Sequence, residues 1–225
     1  MNYSMIEMLK LVKTKKNNLK VGDKMKFELY TGEKVEAEIV GFNHDLLANR
    51  KGNARATFRF TIDGEFEMNE DWTNIGGWSK SKMRNAYCKR LFKLLPIELQ
   101  KAIKPVIKET TAGGASKELV ETKDKLFLFS LAETIGNDGW LSYVEEGKQY
   151  ELFKKKGYSF KKWSWLRSPN PSNTNNFHYV NSNGNGNNNN ANNSYGVCFD
   201  FLSLARQSNN FCEICATKKE CMTVL

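Results

Sequence analysis

The sequence predicts an α+β domain of short antiparallel strands, two helices and a loop-rich C-terminal ligand face. Three observations predict it. Met25, Phe27 and Leu29, then Val35, Ala37 and Ile39, alternate with charged residues on either side of Thr31-Gly32, as in a hairpin with one buried face. Met83, Ala86, Tyr87, Leu91, Leu94 and Leu95 recur at spacings of three and four, the period of an amphipathic helix. Trp163 and Trp165, then Tyr195, Val197, Phe199 and Phe201, alternate with small or polar residues and bracket a run dominated by asparagine.

Taken in order, residues 1–18 form an N-terminal arm or short helix and residues 19–201 form the domain. After the hairpin, Thr57 to Ile62 is a strand closed by Asp63-Gly64. Trp72 and Ile75-Gly76-Gly77-Trp78 make a corner where backbone turns tightly beside packed rings. Ser79 caps the first helix. Pro96 ends that helix and opens a second, with Leu99, Ala102 and Ile103 inward and Pro105 as its limit. Residues 110–116 are an internal loop. Lys125 to Phe129 is a continuous apolar run, hence a fully buried strand. Leu131 to Ile135 is a helical turn, and Tyr150 to Phe153 is a second short helical piece leading into the tryptophan strand. Residues 202–225 are an irregular tail.

The run from Asn170 to Asn193 organises the chemistry. Asparagine is poor in helix and strand, and its amide needs partners that a core rarely supplies in such number. Phe177-His178-Tyr179-Val180 interrupts the run as a short strand, and Asn183-Gly184-Asn185-Gly186 is turn chemistry. An aromatic scaffold thus presents a neutral polar surface, which suits binding better than catalysis. The contact residues expected are Asn173, Asn175, Asn176, His178, Tyr179, Asn181, Asn183, Asn187, Asn189 and Tyr195. Trp163, Trp165 and Arg167 pack and brace. The alternative is a flexible low-complexity loop.

At 225 residues, with 40% hydrophobic and 12% aromatic residues, the chain can bury a sizeable core. Its formal net charge of +9 raises the question of nucleic acid. Lysines cluster near the start (Lys10 to Lys26) and at Lys154, Lys155, Lys156, Lys161 and Lys162. Between Trp163 and Phe201 the only charges are Arg167 and Asp200. Cations are therefore segregated from the stacking residues, against the pattern of a nucleic-acid surface. No stretch is long and apolar enough to cross a bilayer. The first residues lack the order of a signal peptide, so synthesis in the cytoplasm or carriage on a virion is expected. Five cysteines, four of them after residue 197, do not form a secreted disulfide framework. Cys212-Glu213-Ile214-Cys215 is half of a zinc site without a matching pair, and His44-Asp45 has nothing nearby to complete a ligand set. No catalytic residue, metal or cofactor is expected.

The succession Gly22-Asp23, Phe42-Asn43-His44-Asp45, Gly76-Gly77-Trp78-Ser79-Lys80-Ser81-Lys82-Met83-Arg84, Trp163 to Pro169 and Ser194-Tyr195-Gly196-Val197 resembles one group. These are bacterial and phage domains related to the C-type lectin fold, similar to the variable proteins diversified by retroelements. The resemblance covers about residues 19–201. It implies a C-type-lectin-like fold whose final strands and loops form a ligand surface with no assigned catalytic residue. It also implies adenine-directed rewriting of segment 163–201 and a protein or cell-surface ligand in a phage or prophage receptor-binding apparatus. The absence of Lys, Glu, Gln, Met and Trp between Arg167 and Gly196 is compatible with that rewriting. After Val197 the chain departs from the family pattern, continuing through Cys198 into the tail. Two alternatives remain. One is a basic nucleic-acid-binding protein. The other is an enzyme on the same fold, such as the cysteine-dependent sulfatase-activating oxidases, with Cys198 as the only cysteine on a motif.

Overall fold

A computed structural model describes residues 1–14, 18–137, 139, 141–155, 160 and 162–205. It opens with β1 (Asn2–Ser4), which runs directly into α1 (Met5–Lys13). Ser4 caps the helix by accepting from the Glu7 amide, and Met8, Leu9 and Val12 enter the core. The N-terminal segment is therefore packed as part of the domain, with β1 parallel to β2 (Lys24–Glu28). The predicted hairpin pairs β2 with β3 (Lys34–Phe42), setting Met25 opposite Ala37 and Phe27 opposite Val35. Next come β4 (Ala54–Thr61), α2 (Gly77–Lys80), α3 (Lys89–Leu94), α4 (Ile97–Ala102) and a separate hairpin of β5 (Val106–Thr111) and β6 (Leu119–Asp124). The chain ends in β7 (Leu126–Leu128), α5 (Leu131–Thr134), β8 (Ser164–Pro169), β9 (Asn176–Val180), β10 (Gly186–Asn190) and β11 (Gly196–Ala205).

One mixed sheet of nine strands carries the domain, in the order β1-β2-β3-β4-β11-β8-β9-β10, with β7 also on β11. β11 is its axis. It lies antiparallel to β4 along one side; on the other it pairs parallel with β8 at Gly196 and Val197, then antiparallel with β7 from Phe199 to Phe201. Side chains alternate across it. Val197, Phe199 and Phe201 join the main core with Phe58, Phe60 and Trp165, while Cys198 joins a second core with Tyr150, Phe153 and Leu166.

The expectation of an α+β, C-type-lectin-like layout with two helices is corrected here. The chain is mostly β, with 36% strand and 19% helix, built on a single large mixed sheet. Among the described residues the five α-helices are short, four to nine residues each. The long helix expected after Ser79 is broken. A four-residue helix, in which Ser79 is internal, gives way to a π-helical segment, Met83–Cys88, before α3 begins. The wider π turn moves the buried face, so Cys88 follows Met83 inward while Ala86 is exposed. Strands arose where the residues did not announce them, above all β10, whose sequence is GNNNN.

The Gly-Gly-Trp corner does turn tightly. Gly77 has φ +53°, and a Cβ on it would stand 2.2 Å from the Thr111 carbonyl oxygen. Across the contact, a Cβ on Gly113 (φ +71°) would stand 1.9 Å from the Asn74 carbonyl oxygen. Both obstacles are backbone, so neither can yield cheaply. Gly113→Ala should therefore destabilise the domain severely, beyond the about 1 kcal/mol of a left-handed strain alone. Gly32→Ala, with φ +88° but open space around it, should cost only that strain. Denaturant melts of the two variants make the comparison, and equal losses would mean the corner is not packed as described.

Candidate functional site

Arg167 sits in β8 with no exposure at all. Its guanidinium grips Glu133 at both oxygens (2.5 and 3.1 Å) and donates to the Thr110 hydroxyl at 2.9 Å. It also donates to the carbonyls of Leu128, Glu109 and Glu146. Glu133 is delivered by local chemistry. Ser130 and Glu133 form a capping box at the start of α5, each side chain accepting the other's amide. Lys108, equally buried on β5, donates to Glu133 at 2.8 Å and to Asp45, and its ammonium lies 4.1 Å from the centre of the Phe127 ring. The Tyr150 hydroxyl and Thr57 also donate to Asp45 (2.7 and 2.5 Å).

Burial alone would raise the Glu133 pKa, but Arg167 and Lys108 outweigh it and hold it down at about 2. Two further carboxyls go the other way. Burial raises Glu146, which meets Ser168 and the amide and hydroxyl of Thr111. Burial, reinforced by the charge of Glu133, raises Asp200 well above the ordinary range. Neither Asp200 oxygen has a hydrogen-bond partner among the described residues. Two cations thus stand against two carboxylates, with two further carboxyls favoured in the protonated form. The charges of this ladder are committed to one another, which makes it a brace.

A cleft of about 520 Å³ opens over the ladder, lined among others by Asn43, His44, Arg50, Asn53 and Lys148. His44 stacks on Tyr150 at 3.8 Å, and burial lowers its pKa from 6.5. His44 and Asp45 therefore do different work. One is a neutral stacked ring, the other an acceptor inside the ladder. Among the described residues no group of three or more His, Cys, Asp or Glu could hold a metal. Cys212, Cys215 and Cys221 lie outside those residues. Cys88 and Cys198 are buried, and burial pushes the Cys198 thiol up to about 12. That is the opposite of an activated nucleophile.

The asparagine tract is ordered by its own amides. Asn173 accepts from the backbone of Asn175 and Asn176, and Asn181 accepts from Asn183 and Asn185, two turns closed by side chains. Asn176 donates across to Asn188 at 2.5 Å, Asn175 to Asn190 at 2.9 Å, and Asn189 to the Tyr195 hydroxyl at 2.7 Å. Of the ten expected contacts, only Asn183 and Asn187 are well exposed; Asn173, Asn175, Asn176, Asn181, Asn189 and Tyr195 are half-buried. His178 is buried, its Nδ1 3.2 Å from the Ser168 carbonyl oxygen, and Tyr179 is nearly so. Neither can lead a surface contact, because the β9 strand is covered on both faces. Trp165 is core, its indole N–H on the Phe66 carbonyl. Trp163, expected to pack and brace, is 46% exposed and stacks on Tyr179.

Asn74, which sequence reasoning passed over, fixes the first loop of the tract. Fully buried, it donates to the carbonyls of Asn170, Asn173 and Asn176 and accepts from the Gly114 amide. Phe66 pairs with Tyr195, and Met68 and Asn69 donate to Ala191, so the segment from Phe66 to Ile75 borders the tract. Trp72 and Ile75 stand exposed on it.

β10 ends the sheet, and its donors are managed. The Ala191 amide bonds Asn175 on the β9 side, so Asn188 and Asn190 turn their amides outward. Those amides are taken by the side-chain oxygens of Asn187 and Asn189, at 2.8 and 2.9 Å. The strand thus masks its own edge.

One family profile, described as a domain of unknown function, matches residues 46–201. The chain belongs to the DUF6273 family. The DUF6273 span takes in Lys108, Glu133, Arg167, Trp163 and the whole asparagine tract, and leaves β1 to β3 outside it. Neither curated proteins nor solved structures give a match.

Two sets of predictions follow from this geometry, one for the ladder and one for the edge. Removing one partner of the ladder, as in Arg167→Met, should cost about 3–5 kcal/mol by stranding a buried charge. The Glu133 contribution is present above its ordinary 4.5 and should be lost as pH falls from there towards about 2. Asp200 has the opposite sign, because a raised pKa favours folding only while the carboxyl is protonated. The stability of Asp200→Asn relative to the parent should therefore grow as pH rises above about 4, by up to about 1.4 kcal/mol per unit. Urea melts from acid to neutral pH measure the difference, and a pH-independent gap would show that Asp200 is not buried uncharged. The second set concerns the edge. Asn187→Val with Asn189→Val should add concentration-dependent association beyond that of the parent, detectable by analytical ultracentrifugation.

Proposed function

We propose that this chain is a recognition module whose ligand face is the neutral surface formed by β10 and the loops on either side of it, with β9 buried beneath. The observation that carries the reading is an exposed indole, Trp163, held rigid among tyrosines at the border of a surface without charged side chains. From Ser168 to Tyr195 the chain contains no Lys, Arg, Asp or Glu. Exposed apolar groups rimmed by polar ones mark interaction sites, and Trp163, Trp72 and Ile75 all border this tract. Tyr, Ser, Gly and Asn are also the adaptable contact residues of antibody loops. A rigid sheet below and a fixed ion ladder beneath β8 let such a surface change without loss of the fold.

A catalytic reading has less support, since the ladder is internally matched and both described cysteines are buried thiols. Nucleic acid is disfavoured because, among the described residues, the lysine beside the aromatic face, Lys162, is already paired with Asp63. Among the described residues no helix is long and apolar enough to cross a membrane. Diversification of the face by a retroelement, and its use in a phage or prophage receptor-binding apparatus, form a separate proposal resting on the resemblance to retroelement-diversified variable proteins. A reverse transcriptase gene beside a near-copy of this coding region is the observation that tests it.

The module itself is tested by binding to a bacterial cell-envelope fraction. Asn183→Ser, Asn187→Ser and Trp163→Ala should each leave stability within about 0.5–1 kcal/mol of the parent. Envelope binding should fall most in Trp163→Ala, because a few anchors dominate an interface. Unchanged binding in all three variants would place the ligand face elsewhere.

A further inference from the structure

We infer that the ligand of this face is a neutral saccharide, held by one ring against Trp163; the inference rests on the recognition reading and names its ligand class. Trp163 remains 46% exposed while its neighbours Trp165 and Tyr179 are buried. The indole is nonetheless held in place. It stacks on Tyr179 with ring centres 5.3 Å apart and planes 14° apart, and Tyr195 leans against it at 5.7 Å and 48°. Tyr179 is locked in turn by Trp165, edge-on at 6.1 Å, and by Tyr195 at 4.7 Å. Stacking covers one face of the indole, so its exposure belongs to the other side.

Trp163 forms part of the wall of a surface hollow of about 460 Å³, with Gly64, Glu65, Lys162, Ser194, Tyr195 and Gly196. Two of these are glycines, which leave room beside the ring. A Cβ on Gly196 would stand 2.7 Å from the Trp163 carbonyl oxygen, so β11 can pass this close only without a side chain. Asn189, bonded to the Tyr195 hydroxyl, extends the polar rim from β10.

The mixture selects the ligand. An apolar partner would satisfy the indole but desolvate the Ser194 hydroxyl and the Asn189–Tyr195 rim with nothing in return. Among the described residues of the hollow a polyanion would meet one cation, Lys162, already paired with Asp63 at 3.0 Å and accompanied by Glu65. A pyranose has a C–H face that packs on an aromatic ring and a rim of hydroxyls that both donate and accept. Side-chain amides, with two donors and an acceptor oxygen each, match such a rim without introducing charge.

The test sets two probe collections against the same variants. The first is an array of neutral oligosaccharides built from glucose, N-acetylglucosamine, mannose and galactose; the second is a random-peptide phage library. The parent should bind at least one oligosaccharide series with a change in tryptophan fluorescence. Trp163→Ala should weaken that binding about tenfold or more, with Trp163→Phe between the two. Ser194→Arg, which fills the hollow without touching the ring stack, should abolish it. Thermal melting of each variant separates lost binding from lost fold. If peptides bind in a Trp163-dependent way and no oligosaccharide does, the saccharide inference is overturned while the recognition face stands. If no probe in either collection depends on Trp163 or Ser194, both are overturned.

Discussion

The bidentate pair between Arg167 and Glu133 is the constraint on which the rest of this structure depends. A guanidinium with no exposure must have its donors satisfied and its charge matched, and here one side chain meets that demand by drawing on five residues from four parts of the chain. Thr110 and the Glu109 carbonyl come from β5, the Leu128 carbonyl from β7, Glu133 from α5, and the Glu146 carbonyl from the following loop. β8 is thereby fixed against the β5–β6 hairpin, which is not itself part of the large sheet. Lys108 extends the lock to Asp45 and Tyr150, which are themselves joined by a hydrogen bond beside the His44 ring. Buried ion pairs of this kind contribute little net stability over an apolar replacement, but they penalise every arrangement in which a partner is missing.

That demand for a single arrangement explains how a tract so rich in asparagine can be an ordered surface. Each end of the tract is held by something outside it. Asn74 ties the 170–176 loop to the glycine corner, and the Phe66–Tyr195 bridge ties the far end to the segment after β4. Between those anchors the asparagines satisfy one another across β9 and β10. The amide serves three uses here: closing turns, bridging strands and covering the outward donors of an edge strand. A surface built this way is neutral and covers the outward donors of its edge strand.

Much of this was legible in the residues, and the limits of legibility are physical. Alternation revealed β2, β3, β4 and the inward face of β11 because each has one buried side in a period of two. The apolar run at Leu126–Leu128 and the turn signals around Asn183-Gly184 were readable for similarly local reasons. The aromatic flanks marked where the asparagine tract begins and ends, but of the ten residues expected on its surface only Asn183 and Asn187 are well exposed, and His178 and Tyr179 are buried. The ladder was not found. Lys108 sits in a strand of mixed polarity, Glu133 in a helical turn and Asp45 in a loop, so no window of sequence contains two of them. The capping-box spacing Ser130 to Glu133 and a lone arginine inside an apolar strand were the available signals.

By itself the sequence determined the local elements with strong periodicity, the neutrality of the segment from Ser168 to Tyr195 and the segregation of its lysines. These follow from composition and from contacts between near neighbours. Tertiary structure alone decided the fold class, the π-helical break that brings Cys88 inward and the formation of β10 from residues with little strand preference. β10 exists because β9 and the Ala191–Asn175 bond hold it in register, not because asparagine favours an extended backbone. Tertiary structure also left Trp163 outside the core while burying Trp165 two residues later. In an exposed start of a strand, ring stacking on Tyr179 and Tyr195 fixes an indole without covering it. No pattern along the chain distinguishes that from burial, because the deciding contacts come from residues more than a dozen positions away.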